Sequence, residues 1–69
     1  MVEVFKTDVS RKNQANDIVT DLQREFPNLR INFDLSDCDR ILRVEGQHIL
    51  VEQIISWMRE QNHACELLE

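Results

Sequence analysis

Apolar and polar residues alternate at the start of the chain. Val2, Val4 and Lys6 interleave with Glu3 and Phe5, a period-two pattern that predicts a half-buried strand with Val2 and Val4 inward. Asp8-Val9-Ser10 breaks the alternation, and Ser10 or Asp8 is placed to cap a helix. From Arg11 to Phe26 the apolar positions are Ala15, Ile18, Val19, Leu22 and Phe26. Their spacing follows one helical stripe, with Asn13, Asp17, Asp21 and Arg24 on the wet side. Pro27-Asn28 ends this helix, because the residue before a proline is pushed out of the helical region.

A second alternation follows, with Ile31, Phe33 and Leu35 on one side and Arg30, Asn32 and Asp34 on the other. Ser36-Asp37-Cys38-Asp39 has the short polar side chains of a turn. Ile41-Leu42-Arg43-Val44-Glu45 then returns as a third strand with Leu42 and Val44 inward, closed by Gly46. Val51, Ile54, Ile55 and Met58 make a second helical stripe that runs to about Asn62. Ala64-Cys65-Glu66-Leu67 predicts a last short strand, and Leu68-Glu69 carries no weight in this reading. The order β-α-β-β-α-β with right-handed crossovers predicts an α+β, ferredoxin-like sandwich. Its four-stranded antiparallel sheet has the spatial order 4-1-3-2, with two helices on one face.

At 69 residues the chain reads as a single domain, spanning residues 1–69. Such a domain buries only about 60% of its unfolded surface, so its stability is modest. Eight basic and thirteen acidic residues leave a net charge of −5, which disfavours a nucleic-acid footprint. No apolar run approaches the ~20 residues of a membrane helix, and the first residues have no secretory signal pattern. With two cysteines, Cys38 and Cys65, a disulfide framework is not indicated, and a cytoplasmic setting with reduced thiols is expected.

The first-helix entry Asp8-Val9-Ser10-Arg11-Lys12-Asn13-Gln14, the turn Phe26-Pro27-Asn28-Leu29, Ile31-x-Phe33 and Val51-Glu52-Gln53-Ile54-Ile55 together resemble heavy-metal-associated domains, the copper-chaperone and metal-ATPase modules. The resemblance covers nearly the whole chain as a pattern of apolar positions. The family's metal loop is Met-x-Cys-x-x-Cys, whose two thiolates suit a soft monovalent ion. Here Val9, Arg11 and Gln14 stand at those three positions. Arg11 has no lone pair to give and Gln14 offers only a hard amide oxygen, so the family's metal transfer is not expected, and no cofactor is assigned.

Other chemistry is sparse. Cys38 and His63 fall at one end of the fold with Asp8, Asp37 and Asp39, a set suited in ligand type to zinc. The ends of the third and fourth strands lie about 10 Å apart, however, too far for one ion without inward-folding loops. Asp37 and Asp39 read as turn residues, His63 as a loop residue and Cys65 as a small core hydrophobe. His48, at the other end, has no evident partner. His63 and Cys65, two apart at a strand's edge, can share a face, but no glycine loop or helix N-terminus marks either thiol as an activated nucleophile. An enzyme is therefore not expected.

Three residues are left as candidates for partner contact. Trp57 and Leu50 flank the core stripe of the second helix, although the simpler role for Trp57 is to cover the rim of the core. Phe5 falls among the outward positions of the helix-free sheet face, with Glu3, Arg30, Asn32, Arg43 and Glu45. Arg30 and Asp34 lie on an edge strand and are charges of the kind that discourage edge pairing. The expected function is a non-enzymatic module acting by protein contact, with itself as a homodimer or with another protein. The alternative is a metal-binding protein built around Cys38 and His63.

Overall fold

The computed structural model describes residues 1–36 and 40–68. In chain order it contains β1 (Val2–Thr7), α1 (Lys12–Glu25), β2 (Arg30–Asp34), β3 (Ile41–Glu45), α2 (Val51–Glu60) and β4 (Cys65–Leu68). The strands form one antiparallel sheet in the order β2-β3-β1-β4, which is the ferredoxin-like arrangement expected. The turn expected at 36–39 lies, beyond Ser36, outside the described residues. β4 takes in Leu68, which pairs with Val4.

The helices form where their apolar stripes fall. Ala15, Ile18 and Leu22 of α1 and Ile54 and Met58 of α2 are buried against Phe5, Ile31, Leu42, Val44 and Cys65 of the sheet. Val19, Phe26, Val51, Ile55 and Trp57 are partly buried around that core. α1 packs along β2 and α2 along β4. Neither helix begins with a side-chain cap: the N-cap positions are Arg11 and Leu50. Ser10 and Asp8 do not cap α1, as the sequence pattern suggested. The helix starts after both, and Asp8 is engaged elsewhere.

The phase of β1 corrects the sequence reading. Phe5 is fully buried and Thr7 is 6% exposed, whereas Val2 is 49% exposed. The inward face is therefore Glu3, Phe5 and Thr7, and Phe5 is not a surface contact residue. Both phases satisfy a period of two, and side-chain chemistry decides between them. Turning Val2 and Val4 inward would drag Lys6 beneath the helices, and an unpaired buried ammonium is costly. The observed phase buries a phenyl ring instead, and the inward Thr7 hydroxyl is satisfied. Its Oγ1 donates to the Arg40 carbonyl at 2.7 Å and accepts from the Val9 N–H at 3.2 Å.

The open face consequently carries Val2, Val4 and Lys6 in place of Glu3 and Phe5. Register sets Arg30 opposite Glu45 and Lys6 opposite Glu66, cross-strand pairs of opposite charge worth about 0.2–1 kcal/mol each. A Cβ at Gly46 would sit 2.5 Å from Leu29 Cδ2, so a larger residue there would require the Leu29 side chain to shift.

The corrected phase has a direct energetic signature. Phe5→Ala will destabilise the domain by about 3–5 kcal/mol, and Val2→Ala will stay within about 0.5 kcal/mol of wild type. Urea unfolding of both variants measures this, and the reverse ranking would restore the opposite phase.

Candidate functional site

Two ends of the sheet hold the residues singled out by the sequence. At the first end, the loop from β1 to α1 meets the turn from α2 to β4. α2 closes with Asn62 in the left-handed region at φ 66°, a conformation that asparagine tolerates better than most residues. The Asn62 N–H donates to the Arg59 carbonyl at 2.9 Å and the His63 N–H to the Met58 carbonyl at 3.0 Å. These two bonds make a Schellman closure. It fixes the direction in which the His63 ring leaves the helix.

That ring meets Asp8, 55 positions away in sequence, with Nδ1 2.9 Å from Oδ1. An ionised carboxylate can only accept, so Nδ1 carries the proton. His63 is 14% exposed and Asp8 53%. Burial acts to raise the Asp8 carboxyl. The hydrogen bonds from His63 and from the Ala64 backbone, with the charge of His63, outweigh it and hold the carboxyl below its ordinary 3.8. The sequence did not announce this pair, since nothing local marks two residues so far apart.

A carboxylate-oriented imidazole is half of a nucleophile-activating arrangement. The thiol nearest in sequence, Cys65, is 4% exposed, and burial pushes it up to about 11, so it stays protonated at neutral pH. Val9 is fully buried and Arg11 is exposed, so the loop that would carry the family's thiolates presents a core anchor and a cation. Cys38, Asp37 and Asp39 lie outside the described residues. Among the described residues, no group of three or more His, Cys, Asp or Glu side chains gathers as a metal site.

The opposite end is different in character. The chain after α1, the loop from Gly46 to Leu50 and the start of β1 enclose an open groove of about 1000 Å³. The exposed large hydrophobics among the described residues are Met1 (76%), Val2 (49%) and Leu50 (53%), and all three line it with Phe26, Pro27 and Leu29. The Gly46 N–H donates to the Met1 carbonyl at 3.0 Å and ties the first strand to this loop. Glu25, Arg30, Glu45 and His48 supply the polar lining.

Leu50 is therefore exposed as expected. Trp57 is half-buried against the core, the rim-covering role, and does not line this groove. Met1 and Val2 were missed because the inverted phase of β1 hid Val2. Choosing the phase on the placement of Lys6 would have brought Val2 to the surface.

Two measurements follow from this geometry. The Asp8 carboxyl will titrate below 3.8, and its midpoint will rise in His63→Ala, as read by carbon-detected NMR. Because the folded value is depressed, the pair stabilises the fold above the unfolded carboxyl pKa. That stabilisation is lost as pH falls through the folded value. A midpoint unmoved by the substitution would show that the pair is not made. In a Cys38→Ser background at pH 8, Cys65 will alkylate only as fast as the chain opens. Modification at the rate of a free thiol would contradict its burial.

Comparison of the chain with models of known protein families, with characterised proteins and with solved structures finds no match.

Proposed function

We propose that the chain is a non-enzymatic module, similar to heavy-metal-associated domains but without their thiolate loop, that acts in the cytoplasm through protein contact. The observation that carries this reading is the convergence of Met1, Val2 and Leu50, all exposed, on one groove. Exposed apolar side chains scattered singly need no explanation, whereas a cluster rimmed by polar groups is the usual form of a protein contact. The groove is tied to the sheet by the hydrogen bond from the Gly46 N–H to the Met1 carbonyl. At the other end Nδ1 of His63 is held by Asp8, and Arg11 and Gln14 stand where the related modules carry thiolates. For the described residues, no helix is long and apolar enough to cross a membrane.

Leu50 gives a clean test, because it is also the N-cap of α2. Leu50→Asp removes the apolar contact and supplies a capping carboxylate, so stability will hold or rise by about 1 kcal/mol. Partner retention by the immobilised protein will fall about tenfold or more, and retention equal to wild type would overturn the groove as the contact. Native mass spectrometry of the reduced protein will show no ion retained when Zn²⁺ and then Cu(I) are supplied against a competing chelator. One ion held per chain, lost in Cys38→Ser, would replace protein contact with metal binding.

A further inference from the structure

The outer edge of the sheet at β2 has a property that its charges conceal when each is read alone. β2 is an end strand, paired on one side only, with β3. The hydrogen bond from Gly46 N–H to the Met1 carbonyl fixes which backbone groups face which neighbour. Met1 opposite Gly46 is a hydrogen-bonded pair, so in the same register Glu3–Val44 and Phe5–Leu42 are too. Ile41, Arg43 and Glu45 of β3 therefore turn their N–H and C=O groups to Asp34, Asn32 and Arg30 of β2. The backbone groups of Ile31 and Phe33 point away from the sheet, along the open edge.

The side chains flanking that edge are symmetric in a specific sense. Arg30, Asn32 and Asp34 are exposed on the helix-free face. Placing a second β2 antiparallel, with Asn32 opposite Asn32, sets each Arg30 against the Asp34 of the second copy. The same register brings Ile31 opposite Phe33 twice, so the four outward backbone groups of each strand meet their complements. It also brings Leu29 opposite Leu35. Centring on Ile31 or Phe33 keeps the hydrogen bonds but loses both charge pairs. Asp34 already accepts from Ser36, and a carboxylate has acceptor capacity for more than one donor.

An independent feature lies on the helix side of the same edge. Between α1 and β2 runs an open, mostly apolar groove of about 370 Å³. Half-buried Val19, Phe33 and Leu35 line it, with buried Ala15 and Ile31. In the Asn32-centred register Phe33 of each copy falls opposite Ile31 of the other on this face, so apolar side chains meet beside the new ladder.

We propose that β2 is a self-recognition edge, on which a second copy of this chain pairs antiparallel about Asn32 to give an eight-stranded sheet held by two Arg30–Asp34 pairs. This deepens the protein-contact reading by naming one partner, and its edge adjoins the Leu50 groove, which Arg30 also lines. Such a contact is isologous, and it closes at two copies because each β2 edge is consumed.

The experiment combines charge reversal with edge-amide protection. Wild type, followed by sedimentation from about 10 μM to about 1 mM, will pass from monomer to dimer. Arg30→Asp and Asp34→Arg will each weaken self-association about tenfold or more, since attraction becomes like-charge opposition at two symmetric pairs. An equimolar mixture of the two variants will form a heterodimer, because every opposition in it is again between unlike charges. The double variant R30D/D34R will dimerise as wild type does. It also lacks the carboxylate that Ser36 uses, so it separates loss of that turn from loss of pairing. The amides of Ile31 and Phe33 will gain hydrogen-exchange protection with concentration, while that of Asn32 stays protected throughout.

A wild type that remains monomeric across the range overturns the proposal. So does a dimer indifferent to both reversals, or one that leaves the Ile31 and Phe33 amides unprotected. If the chain is monomeric yet partner retention still depends on Leu50, a heterologous protein is the partner and only self-recognition falls. If both are absent, the contact reading falls with it.

Discussion

The inward turn of Phe5 and Thr7 on β1 is the constraint on which the rest of the domain depends. β1 is hydrogen-bonded on both sides, to β3 and to β4, so its phase dictates which residues of its neighbours can face the helices. With Phe5 inside, Leu42 is opposite it in β3 and Leu67 in β4, which sets three apolar side chains side by side on the inner face. Thr7, the one buried polar residue among those described, is tolerable because its hydroxyl both donates and accepts. Through that hydroxyl β1 also fixes the carbonyl of Arg40 and the N–H of Val9. The geometry of the first end of the sheet therefore starts from a single side chain.

Most of the architecture was legible because local pattern and global packing agree. The α1 and α2 stripes, the inward Ile31, Leu42 and Val44, and the strand order all follow from spacing and handedness. β1 was legible as a strand but not in phase, because Val2, Val4 and Phe5 place apolar residues on both faces and periodicity alone cannot choose. The cost of burying Lys6 chooses. The cap of α1, though not its start, was misassigned for a related reason: Asp8 and Ser10 are good capping residues by type, yet Asp8 is engaged by His63 across the fold. Long-range demand overrode local propensity at both places.

The candidate sites divide along the same line. Leu50 could be found from one helix, since its position relative to the stripe is a local property. The groove around it could not, because it is assembled from the two chain segments bracketing Leu29 and Gly46 and from the start of β1. The Asp8–His63 pair and the symmetric edge of β2 likewise depend on topology. Arg30 and Asp34 read singly look like protection against edge pairing; only their equal spacing about Asn32 on an end strand makes them complementary to themselves.

The pairing of β1 with β4 also bears on how the domain comes into being. Val4 lies opposite Leu68, so joining these strands closes a loop of more than sixty residues, with an entropy on the order of 4 kcal/mol. During synthesis from the N-terminus, β1 emerges first and its β4-facing edge stays unsatisfied until the last strand is available. The hairpin of β2 and β3 and both helices are complete before that moment. The nascent domain therefore carries an open strand while the rest of its sheet is made, and the segment that covers it is the last of that sheet to leave the ribosome.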